Sequence, residues 1–165
     1  MPSEYRGFTK LYKVPVKKLT TPVNILPTAS ADKALRGVRA EVSALWDTGA
    51  TITCIKPELR DRFKLRMAET GSSMPIAGIG GIIKAGFTIV SIFLAHNFKI
   101  EYCPVYVLDF PGNADMIIGM DIITMGDFVV CNAKGETSFS FAIPSFPDRI
   151  DLADKADAAN RKNTV

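Results

Sequence analysis

The chain has little of what most enzymes use to make nucleophiles or hold metals. Its 165 residues contain one histidine, His96, and three cysteines, Cys54, Cys103 and Cys131. An odd cysteine count with no C-x-x-C pair, and one imidazole to assist, argues against a disulfide framework and a zinc site. Neither a metal nor a cofactor is expected, and the thiols read as reduced and buried. An excess of either charge is missing: 20 Lys and Arg against 17 Asp and Glu leave a net charge of +3, without a dense Lys/Arg stripe, so nucleic acid is not an expected partner. Lys10, Lys13, Lys17 and Lys18 cluster near the N-terminus and read as a solvated arm. Long apolar runs are missing too. The longest, FTIVSIFLA at residues 87–95, is too short to span a bilayer, and the first residues lack an apolar signal region. The expectation is a soluble, cytoplasmic protein with no membrane partner. No internal repeat is present.

What the chain does have is short β-type runs punctuated by Gly, Pro and Asn. At 47% hydrophobic and 22% charged it suits one domain with a real core. Residues 21–26 read as a strand ended by Pro27. Residues 37–46 alternate apolar and polar, the period of a half-buried strand. Residues 51–55, TITCI, are β-branched and read as a buried strand. Residues 56–65 carry Pro57 and then charges, a short-helix signal. Residues 74–87 read as a hairpin with a Gly-rich tip, and 88–94 and 100–108 as two more strands, the second edge-like or bulged at Pro104. Asp121 is expected to cap a short helix running to about Gly126. Residues 127–145 read as strand, Gly turn, strand, and the charged, Ala-rich tail as a loosely attached helix or disorder. The sum is a small closed β-fold with one or two short helices.

One stretch interrupts this pattern chemically. LWDTGATI, residues 45–52, places Asp47, Thr48 and Gly49 between two apolar runs. A glycine after a strand-end Asp permits a tight loop and close approach of another backbone. The Thr48 hydroxyl can donate to a neighbouring carbonyl and fix that loop. Leu45, Trp46, Ile52 and Ile55 surround the carboxylate with poorly solvated groups, which suits acid–base work. A second tripeptide, ETG at residues 69–71, lacks the flanking runs and reads as an ordinary loop. The Gly-rich segment GIGGIIK fits neither G-x-G-x-x-G nor G-x-x-x-x-G-K, so it is not a phosphate loop.

The segment ALWDTGATITCI resembles the active-site segment of the retropepsin family, the retroviral-type aspartic proteases. PIAGIGGIIKAG (75–86) resembles the family's flap hairpin, and MIIGMDII (116–123) resembles the segment before its C-terminal helix. TSFSFAIPS is similar to the terminal strand of bacterial relatives. The resemblance covers about residues 20–146, which would be the protease domain, between an N-terminal arm (1–19) and a charged tail (147–165). It implies an acid-protease barrel, one lobe per chain. Asp47, Thr48 and Gly49 would be catalytic. Ala50, Thr51, Gly78, Ile79, Gly80, Gly81 and Ile117 would contact substrate, with the tip near Ile79 and Gly80 closing over it.

Aspartic proteases activate water between two carboxylates that share a proton. No second D-[ST]-G occurs, so the resemblance implies a homodimer acting on a peptide or protein substrate. Asp47 would be contributed once by each subunit, with Thr48 hydrogen-bonded across the axis. A catalytically silent domain that binds peptides or only dimerises is the alternative. Ala50 brings no hydroxyl to the carboxylate, so the expected pH optimum is mildly rather than strongly acidic. Thr51, Ile52 and Met120 replace charged residues common in retroviral enzymes, so subsite preferences do not carry over. Trp46 reads as core packing. The strand TSFSFAI would interleave with a partner's.

Overall fold

The computed structural model describes residues 4–28, 30, 32–68, 74–78, 81–95, 98–148 and 150–162. The chain order is β1 (Arg6–Tyr12), β2 (Leu19–Pro27), a 3-10 turn at Lys33–Leu35, β3 (Ala40–Trp46), β4 (Cys54–Ile55), α1 (Pro57–Arg62), β5 (Met74–Gly78), β6 (Gly81–Ala85), β7 (Phe87–Ala95), β8 (Phe98–Val107), β9 (Met116–Ile118), α2 (Met120–Ile123), β10 (Asp127–Ala133), β11 (Glu136–Ile143) and α3 (Leu152–Lys162). Six strands close a barrel in the order β2-β3-β9-β4-β8-β7. No helix among the described residues is long and apolar enough to cross a membrane.

The barrel follows from alternation. Ala40, Val42, Ala44 and Trp46 of β3 point inward with Val23 and Ile25 of β2, and all six are buried. The inward set continues through Ile55, Val90, Ile92, Val105, Met116 and Ile118, each fully enclosed. Burying a side chain of this size stabilises by roughly 1.5–3 kcal/mol. Strand β9 is short but decisive for topology. It slots between β3, which it parallels at Leu45↔Ile117, and β4, which it opposes at Cys54↔Ile117. The MII run therefore ends beside the loop that follows β3.

A second sheet, β1-β11-β10, packs on the barrel. Its seam is aromatic. Trp46 lies 5.1 Å from Phe141, 5.4 Å from Phe139, 5.7 Å from Phe8 and 5.8 Å from Phe128, centroid to centroid. Such pairs each add about 0.5–1.5 kcal/mol beyond area burial. The core-packing reading of Trp46 holds: it is buried, and its indole N–H donates to Thr21 Oγ1 at 2.9 Å.

Several expectations change. Residues 6–12, assigned to an N-terminal arm, form β1 and pair with β11 from Arg6↔Ile143 to Tyr12↔Thr137. Strand β11 is thereby flanked on both sides within its own chain. Both of its edges are occupied, so it has none left for interleaving with a partner. The buried strand read over 51–55 shrinks to Cys54–Ile55, with Thr51 exposed and Ile52 in a loop. The capping Asp121 sits inside α2 behind a Gly119 N-cap, and the helix stops at Ile123. Gly126 runs so close to β11 that a Cβ there would lie 1.9 Å from the Ala142 carbonyl oxygen. Cys131 is exposed, unlike Cys54 and Cys103.

Other expectations carry through. Strand β8 is bulged near Pro104: Val90 pairs with Cys103 but Ile92 with Ile100, and Tyr102 takes φ +51°. The Gly turn between β10 and β11 is Lys134–Gly135, with φ of +54° and +77°. Two successive positive φ values make the two-residue turn whose twist matches a hairpin. The tail contains α3, which has no buried residue. The ETG tripeptide, His96 and the turn beside it lie outside the described residues.

Candidate active site

Asp47 stands where β3 leaves the barrel, and three hydrogen bonds fix its loop. Its backbone N–H donates to the Ile118 carbonyl at 3.0 Å, which extends the β3–β9 pairing by one residue. Its Oδ1 accepts from Gly49 N–H at 2.8 Å. Its carbonyl accepts from Ala50 N–H at 3.2 Å. An Asp bonding its own backbone two residues on is a self-made turn. The loop thus rests on the carboxylate itself rather than on the Thr48 hydroxyl, which is exposed. Asp47 is half-buried, Gly49 exposed and Ala50 half-buried.

The floor of the loop comes from β9 and α2. The Met120 N–H donates to the Ala50 carbonyl at 2.8 Å. Asp121 accepts from Thr53 N–H at 2.8 Å and from Thr53 Oγ1 at 2.7 Å, and Thr53 Oγ1 accepts from Gly119 N–H at 3.1 Å. Thr53 is fully buried. A charge-assisted pair with every partner satisfied is stiff, so the segment read as a strand serves as a brace. Ile117, half-buried, lies on β9 between Leu45 and Cys54. Burial pushes the Cys54 thiol up to about 12 and the Cys103 thiol to about 12, so neither is a nucleophile at neutral pH.

Asp47 and Thr48 open onto a surface hollow of about 390 Å3, which is also lined by Lys17, Lys18, Leu19, Phe128 and Val130. Asp47 is the one carboxylate among those lining residues. The lysines, read as a solvated arm, belong to a fastened connection. Val16 N–H donates to Thr137 Oγ1 at 3.1 Å, and Tyr12 OH donates to the Thr20 carbonyl at 2.6 Å. Only contacts between distant segments bring these lysines to Asp47, and adjacency in sequence could not reveal them.

Of the other sequence-derived residues, Thr51 is exposed beside the loop. Gly78 and Gly81 face each other as the last pair of the β5–β6 hairpin, which runs in register from Met74↔Ala85. Ile79 and Gly80, between them, lie outside the described residues. Among the described residues no group of three or more His, Cys, Asp or Glu side chains is arranged to hold a metal.

A family described as "gag-polyprotein putative aspartyl protease" matches residues 35–125. No curated protein matches. Among solved structures, the chain is 26% identical to EIAV protease complexed with the inhibitor HBY-793, over 68% of this chain and 89% of that one, with a TM-score of 0.48. A retropepsin-like aspartic protease from Rickettsia conorii is 10% identical over 86% and 98%, TM-score 0.47. The retroviral protease-like domain of Ddi1 from Leishmania major is 19% identical over 70% and 82%, TM-score 0.46. The family match spans the DTG loop, the β5–β6 hairpin and β9 with its glycine, over more than half of the sequence: the chain belongs to the gag-type, retropepsin-like aspartyl protease family.

Proposed function

We propose that the chain is a homodimeric aspartic endopeptidase in which each subunit supplies one Asp47. The observation that carries this reading is a half-exposed carboxylate, fixed by its own turn, in a hollow that offers it no second carboxylate. A lone carboxylate is half of an acid–base pair, and a two-fold axis beside it completes the pair with an identical group.

In the dimer the two carboxylates share one proton, because like charges that close cannot both ionise. The ionised Asp47 takes a proton from a bound water as its oxygen attacks the peptide carbonyl. The protonated Asp47 gives its proton to the carbonyl oxygen, and a gem-diol forms with no covalent link to the enzyme. Proton transfer to the amide nitrogen and breakage of the C–N bond release an acid and an amine. Thr48, exposed at the loop, faces its counterpart across the axis. The β5–β6 hairpin is the lid over the bound peptide.

The test compares wild type with Asp47→Asn on an unfolded protein substrate, with and without pepstatin, with sedimentation confirming the dimer. Asp47→Asn is expected to lower kcat/KM by about 10³-fold or more, and pepstatin to inhibit wild type alone. A confirmed wild-type dimer that is as inactive as Asp47→Asn at every pH from about 3 to 7 leaves the silent-domain alternative.

A further inference from the structure

The hollow that holds Asp47 has a cationic rim. Lys17 and Lys18 line it together with Asp47 and Thr48, and both lysines are exposed. Their backbone is held on either side. Before them, Val16 N–H donates to Thr137 Oγ1 at 3.1 Å and Thr137 N–H donates to the Val14 carbonyl at 3.4 Å. After them, Leu19 opens β2 opposite Trp46. Continued one residue past that antiparallel pair, the register sets Lys18 beside Asp47. Among the described residues the ion pairs are Arg6–Glu4, Arg60–Asp61, Lys64–Asp32 and Lys99–Glu101, so no carboxylate is paired with either lysine. Two fastened cations without an acidic partner therefore flank the candidate catalytic carboxylate.

We propose that Lys17 and Lys18 select peptides that carry an acidic side chain close to the scissile bond. This names the substrate class of the Asp47 site and rests on the aspartic-protease reading of it. Each subunit brings two lysines to the hollow, whereas the paired Asp47 groups carry one negative charge between them. The balance where the peptide binds is thus positive. A peptide held with its carbonyl at Asp47 passes through the hollow of about 390 Å3, and extended chain advances only about 3.3–3.6 Å per residue. Side chains next to the scissile bond therefore come within reach of the lysines. Leu19, Phe128 and Val130 supply an apolar lining. Water leaves that lining when a peptide covers it, and the attraction between a lysine and a substrate carboxylate strengthens. A basic side chain there meets like charge, which acts against the wrong substrate.

The test begins with the full-length chain and a reduced, alkylated protein mixture, its cleavage sites mapped by mass spectrometry. One cleaved segment is then synthesised with both termini blocked, so that a side chain is the only source of a carboxylate. Glu, Gln and Lys are placed in turn at each position within about three residues of the scissile bond. At about pH 6, where Glu is ionised, kcat/KM is expected to favour Glu over Gln by about fivefold at one position or more, with Lys below Gln. The ratio should approach one in about 1 M salt. It should also approach one in Lys17→Gln/Lys18→Gln, and Lys17→Glu/Lys18→Glu should favour Lys. Circular dichroism and sedimentation check that each variant is folded and dimeric. Cleavage that depends on Asp47 but treats Glu and Gln alike at every position overturns the lysine proposal and leaves the protease standing. So does a Glu preference that survives both double variants. A double variant that weakens the dimer yet keeps the Glu preference assigns the lysines to subunit contact and likewise overturns it. A confirmed dimer with no cleavage that depends on Asp47 overturns both readings.

Discussion

Gly119 lies under the backbone of Ile52 so tightly that a Cβ on it would stand 2.5 Å from the Ile52 carbonyl carbon and oxygen. The neighbour is main chain, which cannot rotate aside, and it belongs to the loop that carries Asp47. Gly119→Ala is therefore expected to destabilise by about 3 kcal/mol, the upper range for overpacking. For a domain of this size that lowers Tm by roughly 6–12 °C, measurable by calorimetry. An unchanged Tm would mean that the crossing relaxes freely.

The brace behind the loop offers a subtler test. Thr53→Val keeps the shape of the side chain but removes the hydroxyl that donates to Asp121 and accepts from Gly119 N–H. It strands a buried donor and weakens a charge-assisted bond, at a cost of about 2–3 kcal/mol. Thr53→Ser should recover most of that loss in a denaturant titration. Equal stability of Val and Ser variants would remove the brace from the account.

Asp47 has a structural part separable from chemistry. Asn retains an oxygen that can accept from Gly49 N–H, whereas Ala does not. Asp47→Asn should keep its stability while Asp47→Ala loses about 1 kcal/mol, roughly 2–4 °C in Tm. Both should be inactive against an unfolded substrate.

The cysteines set an alkaline limit. Burial raises the Cys54 and Cys103 thiols from 9.0 to about 12 each, and raises the Tyr12 hydroxyl in the same direction. The folded chain keeps protons that the unfolded chain releases near pH 9. Their contribution is thus complete below about pH 9 and is lost as pH climbs toward 12. Tm should fall between pH 8.5 and 11 by more in wild type than in a Cys54→Ala/Cys103→Ala double variant. A thiol reagent at neutral pH should label Cys131 at once and the other two only on unfolding.

Strand β3, the DTG turn and the β10–β11 hairpin were legible because their signals are local: alternation, an Asp two residues before a Gly, and a Lys-Gly pair between apolar runs. The β5–β6 hairpin was legible for the same reason. The errors fall where a distant segment decides. TITCI has strand propensity, but Thr53 is committed to Asp121, 68 residues away, and Ile52 must clear Gly119. Residues 6–12 have no reason to be a strand until β11, more than 120 residues later, supplies partners. Lys17 and Lys18 meet Asp47 only after that pairing fastens the connection between them. The identity of the candidate acid is written in one tripeptide, while its surroundings are written across the whole chain.

Trp46 gives the molecule a natural optical probe. The chain has one tryptophan, it precedes Asp47 directly, and its ring is held among aromatic residues from β1, β10 and β11. All indole emission therefore originates at the seam between barrel and sheet, in a dry setting with its N–H engaged. Subunit association, inhibitor entry or loosening of that seam can each be followed by intrinsic fluorescence without a label, one residue from the candidate catalytic carboxylate.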